Sequence, residues 1–141
     1  MKTRLLLILF CGALSACSSF DAKWRAAKNA ATRWDGRWTS EKHHTRSGGP
    51  EGGRLRCVLE SAGAGKLNAD FHANWMIFAS DFTMTLTPVS GSRTDFRGTH
   101  ELPKIFGGTY RYTAHISGDH FTAHYDSSYD RGIFDLTRVR P

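Results

Sequence analysis

The stretch Tyr110-Arg-Tyr-Thr-Ala-His-Ile-Ser-Gly-Asp-His-Phe-Thr-Ala-His-Tyr125 decides the fold. Apolar and polar residues alternate on both sides of Gly118-Asp119, and Gly-Asp is a two-residue turn that joins antiparallel strands. Folding at that turn pairs Ser117 with His120, Ile116 with Phe121, His115 with Thr122, Ala114 with Ala123, Thr113 with His124 and Tyr112 with Tyr125. Each apolar residue then meets an apolar one, whereas a slip of one residue would turn the whole set to the opposite face.

The two-residue beat continues on both sides of this hairpin. Gly132, Phe134 and Leu136 share a parity, with Arg138 next on it; upstream, Phe96 and Gly98 follow a Ser90-Gly-Ser turn. Phe82, Met84 and Leu86 alternate with threonines, Phe71, Ala73 and Trp75 with His72 and Asn74, and Leu55, Cys57 and Leu59 with Arg56 and Val58. Trp34 to Ser40 reads as a first strand, Glu41 to Gly53 as a long polar loop, and Ser61 to Lys66 as a turn. About eight short strands with no helix between them define an antiparallel all-β class. One apolar face must be buried, by closure or by layering. Ala73, Gly98, Ala114, Ala123 and Gly132 interleave with large rings on the inner parity, which suits an up-and-down barrel over residues 34–141.

The chain has 141 residues, room for one such domain. It is 40% hydrophobic and 23% charged, which excludes a disordered chain. The net charge is +6, and Lys2 and Arg4 lie in the first four residues; the remaining domain is too mildly basic to point to nucleic acid. Asp21 to Thr32 lacks Gly and Pro and holds five alanines, predicting a short basic helix with Trp24, Ala27, Ala31 and Trp34 on one face. That face either packs on the domain or lies on an anionic leaflet.

Met1 to Arg4 is positive and Leu5 to Leu14 is an apolar run of signal-peptide length, too short to span a bilayer. It ends in Leu14-Ser15-Ala16-Cys17, which resembles the bacterial lipobox. The resemblance implies cleavage after residue 16, lipid on Cys17 and a membrane as partner. Residues 17–33 would then be a lipid-anchored segment carrying the helix. Ser18, where an Asp would retain the protein at the inner membrane, implies by the same resemblance the outer membrane, periplasmic side. Cys57 is left without a partner and reads as a small buried hydrophobe.

Gly36-Arg37-Trp38 on the first strand, after a short helix, resembles the Gly-x-Trp of lipocalin-type (calycin) barrels. The polar loop after it and Arg138 on the last strand fit the same order of elements. The resemblance implies that Arg138 stacks across Trp38 and that the two close the barrel's base. The pattern also resembles small bacterial lipoproteins of unassigned function.

Two readings of function follow. In the first, Phe71, Trp75, Phe82, Met84, Tyr110, Tyr112, Phe121 and Tyr125 line a site for a small apolar or amphipathic ligand, which needs a void of roughly 300 Å³. In the second, these residues fill the barrel, which then acts as a structural or interaction module toward envelope proteins or anionic glycan. His115, His120 and His124 converge on the outward face as a weak candidate metal site, with no carboxylate of matching parity to complete a shell. Asp126 and Asp130 read as turn residues. No catalytic motif is found, so neither an enzyme nor a cofactor is expected.

Overall fold

In the computed structural model residues 19–27, 32–75 and 78–140 are described. The expected leader and the expected lipid site at Cys17 lie outside them. Eight antiparallel strands follow one another around a closed barrel: β1 (Arg33–His44), β2 (Pro50–Gly63), β3 (Lys66–Trp75), β4 (Phe78–Pro88), β5 (Asp95–Glu101), β6 (Thr109–Ser117), β7 (His120–Asp126) and β8 (Arg131–Arg138). β8 returns to pair with β1 from Trp34↔Arg138 to Ser40↔Gly132. The all-β up-and-down barrel is therefore the fold, and the β6–β7 register is the one that apolar matching requires.

Pleating carries the inner parity into one core. Trp34, Leu55, Phe71, Leu86, Phe121 and Leu136 are buried almost completely, each from a different strand. Small residues make room for these rings. A Cβ on Gly36 would stand 2.0 Å from Asp135 O, so β1 and β8 approach too closely there for any side chain. Cys57 is free and buried, and burial pushes its thiol well above the ordinary range, as befits a small hydrophobe.

Three expectations change. The strands are not all short: β2 has 14 residues and β1 has 12. The expected loop Glu41–Gly53 is mostly strand, because β1 and β2 run on as a hairpin as far as His44↔Pro50. Beyond the barrel wall neither face of that hairpin is buried, so its sequence carries no apolar alternation. The described helix, α1, spans residues 19–26; residues 28–31 of the expected helix lie outside the described residues, and Trp34 belongs to β1 and the core instead of the helical face.

α1 lies across the outer wall of β2 and β3. Phe20 is buried and stacks on His72 with ring centroids 5.2 Å apart, while Arg56 sits over both Phe20 and Trp24. Lys23 pairs with Asp70 at 3.1 Å and Asp21 with Arg56 at 3.3 Å. The helix thus packs on the domain, and its start at Ser19 lines a surface pocket with Asp81, Phe82 and Thr83 of β4.

Candidate functional site

The barrel has two unlike ends. At the closed end Arg138 lies over Trp34, 5.3 Å from the ring centroid, and its Nη2 donates to Gly118 O at 2.8 Å. This corrects the closure read from the sequence. The register sets Trp34, not Trp38, opposite Arg138, and sets Trp38 opposite Phe134. Trp38 lies four residues further along β1, at the open end. There its Nε1 donates to Asn74 O at 2.8 Å and its ring packs on Trp75 at 4.4 Å.

The open end holds an apolar cavity of about 90 Å³. Of the eight residues expected to line a ligand site, Trp75, Phe82, Tyr110, Tyr112 and Tyr125 do so. Phe71, Met84 and Phe121 do not; they are packed into the core. Trp38, Ala73, His100, Leu102 and Phe134 join the lining without having been expected there. Phe134 and Ala73 sit on the inner parity and were within reach of the alternation. His100, near the end of β5, and Leu102, just beyond it in the loop, carry no such signal.

The cavity lies beside the thinnest part of the wall. β4 and β5 share only two ladder pairs, Thr87↔Arg97 and Pro88↔Phe96, both toward the closed end. Above them Phe82 and His100 pack at 5.2 Å. Burial lowers the His100 pKa, so the ring is neutral where it meets the apolar lining.

Asp130 organises the neighbouring rim. It is buried and accepts from Ser40 Oγ at 2.7 Å, from Tyr125 OH at 2.9 Å and from Arg131 N at 2.8 Å. Burial and this carboxylate push the Tyr125 phenol far above its ordinary range, so it stays a donor. Ser40, His43 and Asp130 lie close together but do not form a nucleophile triad. Ser40 Oγ accepts from the His43 backbone N at 2.8 Å while donating to Asp130, and His43 Nε2 is spent on Tyr129 O at 3.0 Å. Asp130 is thus the buried centre of the β7–β8 turn, as its sequence setting suggested, although its burial and its bond to Ser40 on β1 left no sequence trace.

The outward histidines are distributed otherwise than expected. His115 faces Asp95 across β5–β6, and its Nδ1 lies 2.8 Å from Asp95 Oδ1. The carboxylate of matching parity therefore exists, on the strand that sequence reading did not pair with His115. His120 and His124 are exposed, and among the described residues no group of three His, Cys, Asp or Glu is arranged to hold a metal ion. The hydrogen bond from His115, helped by Ser92, holds the Asp95 carboxyl below its ordinary value. The contact therefore stabilises the fold above the ordinary carboxylate range and fades as pH falls through the lowered pKa. Replacing His115 by alanine should raise the Asp95 midpoint in a carboxyl NMR titration; an unmoved midpoint would contradict the pairing.

The fold is an eight-stranded antiparallel closed barrel, compatible with the lipocalin type. In comparisons with known proteins no family model, no curated protein and no solved structure matches the chain.

Proposed function

We propose that this protein is a non-enzymatic lipoprotein of the bacterial outer membrane, tethered through Cys17, whose open end binds the apolar tip of a small amphipathic molecule. The observation that carries the reading is the cavity of about 90 Å³ between Trp38, Trp75, Phe82, Tyr112 and Phe134, with Ser80, Asp81 and His100 as its polar groups. Pockets of this make-up, apolar with a few polar groups, hold ligands in proteins generally. Its size decides the ligand's form. It is well below the roughly 300 Å³ of a pocket that encloses a whole small molecule. It is also smaller than the roughly 150 Å³ cavity known to hold benzene. A chain end enters, and the rest of the molecule lies across the rim.

A second reading rests on the packed remainder of the interior. With Trp34, Phe71, Leu86 and Phe121 filling the barrel, the domain serves as a rigid module whose surface contacts an envelope protein or anionic glycan. One titration separates the two. Alkyl phosphocholines of rising chain length, added to the full chain, should give a saturable tryptophan fluorescence change. Ala73→Leu, which fills the cavity, should weaken it about tenfold. No saturable change, together with salt-sensitive retention on envelope fractions, would favour the second reading instead.

A further inference from the structure

We propose that the β5–β6 loop is a second membrane contact, in which Ile105 and Phe106 enter the leaflet that holds the Cys17 lipid and set the open end of the barrel against the bilayer. This rests on the reading that Cys17 is lipidated, and goes beyond it by naming the surface that faces the membrane.

The loop is built to present side chains and not to bury them. Ile105 is 77% exposed and Phe106 53%, and the 3-10 turn Lys104–Phe106 buries none of its residues. Yet its backbone is firmly held. Leu102 N donates to Gly108 O, Phe106 N to Pro103 O and Gly107 N to Lys104 O, at 2.8, 2.8 and 3.1 Å. Tyr110 OH donates to Phe106 O at 3.0 Å, and Ser128 Oγ to Gly107 O at 3.1 Å. Gly107 allows this close seat: its φ is 109°, and a Cβ there would stand 2.8 Å from Tyr129 Cβ. A fixed backbone that aims two large apolar side chains into solvent, beside exposed Tyr129, is a docking tip.

Charge and chain position identify what it docks on. Lys104 stands in the turn itself, and Lys42 Nζ donates to Ser128 O at 3.3 Å, on the residue whose Oγ bonds Gly107 O of the loop. Apolar tips flanked by lysines suit an anionic interface. Ser19 lines a shallow surface pocket together with Asp81, Phe82 and Thr83. Asp81 and Phe82 line the open-end cavity together with Leu102, the first residue of the loop. Ser19 and the loop therefore flank the same part of the wall. Ser19 is two residues beyond Cys17, so the Cα that would carry the lipidated side chain is within roughly 7 Å of chain length from it. A tether that short holds the tip at high effective concentration near the bilayer. The acyl chains on Cys17 supply the anchor, and the apolar tip fixes how the barrel faces the bilayer.

The test uses the full-length chain purified from membranes and reconstituted in phosphatidylethanolamine–phosphatidylglycerol vesicles containing a lipid-borne quencher. A fluorophore is placed through Phe106→Cys or, as a control on the exposed face of β6, through Thr113→Cys; buried Cys57 stays unlabelled. The expected result is about threefold stronger quenching at 106 than at 113. Acyl mass on Cys17 with equal quenching at the two positions overturns the loop contact and leaves the anchor standing. Absence of acyl mass on Cys17 overturns both. A photo-crosslinker at position 106 that captures protein instead of lipid in cells overturns the membrane contact in favour of a protein partner.

Discussion

Truncating Phe71 to alanine is expected to destabilise the folded domain by about 3–5 kcal/mol. The ring is 1% exposed and touches rings from three other strands: Phe82 at 4.9 Å, Phe121 at 6.1 Å and Phe134 at 5.5 Å. It therefore spans the interior from β3 to β4, β7 and β8. The cost of such a truncation depends on how far the surroundings can collapse into the gap. Here the walls are held by ladders around a closed barrel, so they cannot move in, and the upper part of that range applies. Urea unfolding with an unchanged m-value reads the loss directly. Phe106→Ala, on an exposed ring, should stay within about 0.5 kcal/mol and serves as the control. A small loss at Phe71 would mean that its ring is not enclosed.

Gly36→Ala is expected to be costlier still, by more than about 4 kcal/mol, because the added methyl meets backbone and not a movable side chain. It would stand 2.0 Å from Asp135 O and 2.8 Å from Leu136 Cα. Relief requires β1 to lift away from β8, which opens the barrel at its closing seam. Gly49→Ala tests the same substitution where a Cβ meets only Thr45 Oγ1 at 3.8 Å, and should be nearly neutral. Soluble expression and the thermal midpoint of both variants decide the matter; equal stability would exclude the close approach of β1 to β8.

Both predictions concern what alternation does and does not reveal. The β6–β7 register was legible because every inward residue from Tyr112 to Tyr125 is apolar and the turn has its own signature. The protruding β1–β2 hairpin was illegible because no face of it is buried, so its strands carry loop-like composition. Parity also says nothing about height along the barrel. Trp34 and Trp38 share an inward face, yet one closes the base beneath Arg138 and the other lines the cavity. The same blindness merged core rings such as Phe71 and Phe121 with cavity rings such as Trp75 and Tyr110. Pairs between distant strands, such as Ser40 with Asp130, depend on closure and leave no local trace.

The position of α1 adds a constraint that composition hides. A basic, alanine-rich segment of this kind reads either as a helix packed on the domain, the reading favoured from sequence, or as a membrane-surface helix. Buried Phe20 settles on His72, and the acids Asp70 and Asp81 face it from β3 and β4. The helix's basic residues are thus partly engaged with the domain, and the exposed apolar tip that remains is at the open end.

Closure by β1 and β8 around an aromatic interior is the claim on which the rest depends. The most direct measurement is the set of cross-strand NOEs and amide exchange rates for β1 in the isotope-labelled protein. The account predicts contacts linking Gly36 with Leu136 and Trp38 with Phe134, and slowly exchanging amides on both edges of β1. Contacts from β1 to β2 alone, with the amides facing β8 exchanging freely, would contradict it.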